Sequence, residues 1–120
     1  EVEGAVVSHG WLSENDLENL RSEVGLLLVP SSWEGQPMVV IEAMARGIPI
    51  LASDTCSDLV GEAGKIVDSI EIKEWADEIQ NLLTDVGLLE SMSRAGIERA
   101  KLHSIEKINA KWLELYDSLI

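Results

Sequence analysis

Four aliphatic residues, Leu26 to Val29, stop dead at Pro30, and that stop constrains the fold more than any other feature of the chain. An uncharged aliphatic run ended by proline reads as a buried strand. A polar loop follows, and Pro37 then stands where proline suits the first turn of a helix. Gly47 closes that helix, as a residue free to turn left-handed should. A second aliphatic run, Ile48 to Ala52, begins at once. Strand, loop, helix and strand in this order demand parallel pairing with the helix packed on the sheet. Glu34 therefore lies in the loop at a strand's carboxyl end, and Glu42 lies one turn into the helix. In open α/β sheets that crevice is where ligands bind.

The same periodicities extend along the chain. Strands are expected at 5–9, 25–29, 48–52 and 65–67, and helices at 14–23, 37–46, 71–84, 86–101 and 104–119, with a short helix at 57–61. Ser13 is an N-cap, and Asp16 three residues on gives a weaker form of the capping box. Ile72, Trp75, Ala76, Ile79, Leu82, Leu83 and Val86 fall at helical spacing, as do Ile105, Ile108, Trp112, Leu115, Tyr116 and Leu119. Trp75, Trp112 and Tyr116 read as core, and Trp33 as packed over its loop rather than walling a pocket. The acidic stretch Glu71 to Glu78 reads as a solvated helix face. The fold class is α/β: a Rossmann-like parallel sheet with flanking helices and further helices at the C-terminal end.

Composition narrows function. The 120 residues allow one small domain. A net charge of −13 opposes binding to nucleic acid, which needs clustered cations, and direct docking on anionic lipid. No segment is long and apolar enough to insert in a bilayer. Glu1-Val2-Glu3 carries no basic region or signal core, and the single Cys56, read as a small packed residue, fits a reducing compartment. Together these give a cytoplasmic expectation. His9 and His103 lie far apart with no ligand-spaced cluster, so no metal is expected. Ser31 and Ser32 lack a nucleophile elbow, and no glycine-rich dinucleotide or phosphate loop occurs.

Glu42 is the odd residue of its helix. Met38, Val39, Val40, Ile41, Ala43, Met44 and Ala45 surround it, apolar nearly all the way round as in a buried helix. A carboxylate there needs a partner. Arg46, one turn on, would supply a salt bridge worth about 0.2–0.5 kcal/mol if exposed. Ligand hydroxyls in the crevice would serve equally, and the chemistry leaves both open.

Glu34 and Glu42, with seven residues between them, sit in the frame Pro30-Ser31-x-x-Glu34-Gly35-x-Pro37…Glu42-Ala43-Met44-Ala45-x-Gly47-x-Pro49. This resembles the paired-glutamate signature of retaining glycosyltransferases of the GT-B fold, family 4 in particular. Val6 to Trp11, Ile48 to Ser53 and Ala63 to Val67 are similar to neighbouring segments of the same family, in its order. The resemblance covers residues 1–120 as part of a nucleotide-sugar donor-binding domain. It implies transfer of a glycosyl group from a nucleotide-diphosphate sugar to an acceptor, as in polysaccharide biosynthesis. Glu34 would face the donor sugar as the catalytic residue, and Glu42 would take the ribose hydroxyls. Backbone N–H groups in the segment Gly35, Gln36, Pro37, Met38 and Val39 would receive the sugar hydroxyls and the diphosphate, where orphan donors and the helix dipole already favour an anion. Gln36 stands where the family usually has a bulky apolar residue. Thr55-Cys56-Ser57-Asp58 replaces its Gly-Gly-x-x-Glu turn.

The resemblance also implies partners: an N-terminal acceptor domain and two further strand–helix units of the donor domain, so that this chain alone is expected to be inactive. In that order the two strands lie between the strands at 5–9 and 25–29. Leu26 to Val29 would then be an open edge, and a homodimer or partner chain is expected there. Two other readings compete. One is a non-catalytic nucleotide-sugar-binding module acting with a partner chain. The other is a phosphoacceptor domain using Asp54 at a strand end, for which no matching acidic pair and lysine are found.

Overall fold

The computed structural model describes residues 4–120; Glu1 to Glu3, on which the absence of a leader was read, lie outside the described residues. Three parallel strands, β1 (Leu27–Val29), β2 (Ile50–Ser53) and β3 (Gly64–Val67), pair in the order β1-β2-β3. Leu27 faces Ile50, and Ile50 faces Gly64, so the strands run in step. Six helices flank them: α1 (Glu14–Glu23), α2 (Met38–Ala45), α3 (Ser57–Val60), α4 (Ile72–Thr84), α5 (Val86–Ala100) and α6 (Ile105–Ser118).

The strands' period-two alternation divides the core in two. Val29, Ile50 and Ala52 point to one face and meet Val40, Ala43 and Met44 of α2, Val60 of α3 and Ala100 of α5. Leu51 and Val67 point to the other and meet Trp75, Ile79 and Leu82 of α4 and Met92 of α5. Cys56 is a free thiol buried in the first cluster, as expected of a small packed residue.

Helix ends follow local chemistry. The Ser13 hydroxyl accepts from the Asp16 N–H and donates to the Asp16 carboxylate at 2.6 Å, so Asp16 closes the cap through the side chain. Asp85 and Ser104 cap α5 and α6 through the N–H groups of Leu88 and Lys107. At the end of α2, the Ile48 N–H reaches the Ala43 carbonyl at 3.0 Å and the Gly47 N–H reaches that of Met44 at 2.9 Å. This is a Schellman closure, with Gly47 left-handed at φ +69°.

Four expectations are corrected. Residues 5–9 form no strand: Val6 and Val7 are exposed and the segment pairs with no strand of the sheet, although the outer edge of β1 is left unpaired; β-branched side chains alone do not place a segment against an edge. Trp112 and Tyr116 are not core, being 54% and 58% exposed. They stack on each other with ring centroids 6.1 Å apart, and α6 buries no residue at all. Helical spacing makes a face amphipathic but does not supply the surface that covers it. Trp33 neither packs over its loop nor walls a pocket, at 82% exposure. Lastly, α2 is buried on one side only, with Met38, Val39 and Ala45 exposed.

The protruding α6 gives extents of 62 × 32 × 29 Å and a radius of gyration of 16.5 Å. A compact chain of this length would have about 13–14 Å. No described helix is long and apolar enough to cross a membrane.

Gly47 yields a direct check. A Cβ there would lie 2.6 Å from Ser93 Oγ and 3.2 Å from Ile97 Cδ1. Gly47→Ala should therefore destabilise by more than the roughly 1–2 kcal/mol of the left-handed backbone alone. Denaturant unfolding of the variant measures this, and unchanged stability would refute the closure as described.

Candidate functional site

The loop between β1 and α2 carries Glu34 at the carboxyl end of the strand, as its sequence position requires. Ser31 Oγ donates to Glu34 Oε1 at 2.6 Å. The Ser31 carbonyl is itself anchored: it accepts from the Ser53 hydroxyl and, at 3.3 Å, from Thr55 Oγ1. Ser53 and Thr55 also bond each other at 2.9 Å. The turn after β2 thus reaches across to the loop of β1 and fixes the residue that holds Glu34. Thr55 belongs to the segment that departs from the Gly-Gly turn, and its hydroxyl makes a bond that glycine could not. Sequence spacing gave no sign of this link, because it joins two strand ends 22 residues apart.

Pro37 is buried and stands at the N-cap of α2, so the helix begins at Met38. No side chain caps this end, and the first turn contains no acidic residue. Gly35, Gln36, Met38 and Val39 are all exposed there. Pro37 has no N–H to offer, so the donors of the segment are those four. Gly35 would meet nothing within 4 Å even with a side chain added, so the approach to the loop is open. Gln36 Nε2 lies 3.4 Å from His103 Nδ1, linking the loop to the turn after α5.

Glu42 does not take Arg46. Its carboxylate pairs instead with Arg21 of α1, through Oε2. Arg46 turns outward: its Nε donates to Glu18 Oε1 at 2.9 Å, and its Nη1 donates to the Glu42 carbonyl at 3.1 Å. Arg21 also approaches Glu18 at 3.6 Å. Two guanidinium groups and two carboxylates thus form one network across α1 and α2. Local charge is balanced there although the chain carries −13. The network depends on tertiary contact, so the one-turn spacing of Glu42 and Arg46 pointed to the wrong pair.

Glu34 and Glu42 are thus brought to the same strand–loop–helix unit but held by separate partners. A cavity of about 700 Å³ opens at the carboxyl ends of the three strands on the α4 side, lined by Ser31, Ser53, Asp54, Asp68, Trp75 and Ile79 among others; it shares Ser31 and Ser53 with the anchor of Glu34 but contains neither Glu34 nor Glu42. Its apolar walls and two aspartates suit a diphosphate poorly. The exposed α2 N-terminus, free of acidic residues in its first turn, is the better anion site. Among the described residues no group of three His, Cys, Asp or Glu is placed to hold a metal ion.

With this geometry in view, the class of protein is defined by comparison. The family model of the group 1 glycosyl transferases matches residues 1–85, and the chain belongs to that family. The chain is 28% identical over 119 residues to the O-antigen chain mannosyltransferase B of Escherichia coli, covering 98% of this chain and 31% of that protein. It is 31% identical over 102 residues to the lipopolysaccharide core biosynthesis mannosyltransferase LpsB of Rhizobium meliloti, covering 79% and 29%. Sucrose-phosphate synthase from Thermosynechococcus elongatus superposes with a TM-score of 0.84 at 30% identity, covering 97% of this chain and 31% of that one. The chain therefore spans about a third of the length of these relatives. The parallel sheet with flanking helices is the α/β arrangement expected from the sequence, and it is shared with GT-B glycosyltransferases.

The network makes one electrostatic prediction. Hydrogen bonding and charge from Arg46 hold the Glu18 carboxyl below the usual glutamate range, against a smaller opposing effect of burial. A depressed folded-state value means the pair stabilises above the unfolded glutamate range and is lost as pH falls through the lowered value. A carboxyl NMR titration should find Glu18 titrating low and, in Arg46→Gln, moving back up. No movement would remove Arg46 as the cause.

Proposed function

We propose that these residues form the donor-binding part of a retaining, family 4 glycosyltransferase, which transfers a glycosyl group from a nucleotide-diphosphate sugar to an acceptor. The observation that carries the reading is the exposed, uncapped N-terminus of α2, with Glu34 in the loop before it and Glu42 a turn beyond. The Gly35, Gln36, Met38 and Val39 N–H groups receive the diphosphate. As the bond from sugar to diphosphate breaks, negative charge grows on the departing phosphate, where the helix dipole is favourable. That arrangement handles the charge without a metal. Glu42 accepts from the ribose hydroxyls, and Glu34 accepts from hydroxyls of the reacting sugar. Relatives named for O-antigen and lipopolysaccharide core synthesis support a role in polysaccharide assembly.

Productive transfer needs the acceptor in the same water-poor cleft, which an acceptor domain would close. The open edge of β1 and the apolar face of α6 are surfaces for such a domain and for further strands of the donor domain. A second copy pairing through Leu27 to Val29 is the alternative. Sedimentation equilibrium of the full-length protein separates the two: a monomer supports the first, a dimer the second.

Kinetics test the two carboxylate roles. Glu42→Gln should weaken nucleoside diphosphate binding by about 1–3 kcal/mol, the cost of losing a charged hydrogen bond. Glu34→Ala should lower kcat far more than it weakens that binding, because its contact is made at the reacting sugar. Equal losses of affinity for nucleoside diphosphate and nucleotide sugar in Glu34→Ala would contradict its role.

A further inference from the structure

We infer that Arg21 is a positioning residue for nucleotide binding, which holds the Glu42 carboxylate in the orientation that receives the ribose. The inference rests on the role proposed above for Glu42.

Arg21 lies in the last turn of α1, where a cation is favoured by the dipole. Its side chain is only 17% exposed, whereas that of Glu42 is 38% exposed. The arginine is thus the inner partner and the carboxylate faces outward. Only Oε2 of Glu42 is engaged; Oε1 has no hydrogen-bond partner among the described residues. One oxygen is anchored and the other is left with its lone pairs free toward solvent. A free glutamate would have to order several side-chain torsions on binding, at an entropic cost. An anchored one has already lost that freedom, so more of the hydrogen-bond energy appears as affinity.

The anchor is braced from behind. Arg21 Nη1 approaches Glu18 at 3.6 Å, and Glu18 is held by Arg46. Arg46 in turn donates to the main-chain carbonyl of Glu42 at 3.1 Å. The braces therefore close on the very residue being positioned. A planar guanidinium can address Glu18 and Glu42 at once through different nitrogens, which the single ammonium of lysine does poorly.

Calorimetric titration of the full-length protein tests this, using UDP, GDP and ADP to find the diphosphate that binds, and then its 2′,3′-dideoxy counterpart. Wild type should bind the parent nucleotide more tightly than the dideoxy form. Arg21→Met should weaken the parent nucleotide roughly ten- to a hundredfold, the range spanned by a lost charged hydrogen bond, and should scarcely change the dideoxy form. Arg21→Lys should restore part of the difference. Equal weakening of both nucleotides by Arg21→Met would assign it a merely structural role. Unchanged or tighter binding would likewise overturn the inference, while a selective loss in Glu42→Gln would leave the proposed function standing. If Glu42→Gln shows no selectivity for the ribose hydroxyls, the reading of Glu42 fails and the role of Arg21 falls with it.

Discussion

The packing of one side of α2 onto the sheet is the interaction on which the rest depends. Val40, Ala43 and Met44 are buried against Val29, Ile50 and Ala52. Full burial of a valine or methionine side chain contributes roughly 1.5–3 kcal/mol. Gly96 of α5 packs against the Met44 backbone, where a Cβ would be in ordinary contact at 3.4 Å. The helix cannot rotate without exposing Met44 or driving Glu42 into the core. Its axis and register are therefore fixed, and its N-terminus must open beside the carboxyl end of β1. The left-handed turn at Gly47 sets the other end, returning the chain directly into β2.

The charges follow from that placement. With Met44 inward, Glu42 lies at the margin between sheet and solvent, within reach of α1. A negatively charged protein can still offer an anion site, because Arg21 and Arg46 balance Glu42 and Glu18 locally. The first turn of α2 has no acid to repel a phosphate. The acidic excess lies elsewhere, notably at the start of α4, where the N-cap residue Glu71 and Glu74 and Asp77 of the helix are exposed.

Much of this architecture was legible because its causes are local. Ser13 marks a helix start through a bond spanning three residues, and Gly47 marks an end through backbone conformation alone. The aliphatic runs of β1 and β2 are equally self-contained. What escaped depends on partners distant in sequence. Val6 and Val7 have strand-forming side chains but no neighbour to bond. Trp112 and Tyr116 repeat at helical spacing without a surface to cover them. Glu42 found Arg21, a residue 21 positions away, in place of Arg46 at 4. The bracing of Glu34 through Ser31, Ser53 and Thr55 likewise appears only once two strand ends are side by side. The positions of both carboxylates could thus be read from sequence, but not what holds them.

A crystal structure of the full-length protein with a nucleoside diphosphate bound tests the central claim most directly. The account predicts phosphate oxygens on the N–H groups of Gly35, Gln36, Met38 and Val39, and ribose hydroxyls on Glu42 with Arg21 still in place behind it. A diphosphate bound in the hollow between Leu28 and Trp75, or one leaving the α2 N-terminus to solvent, would contradict it.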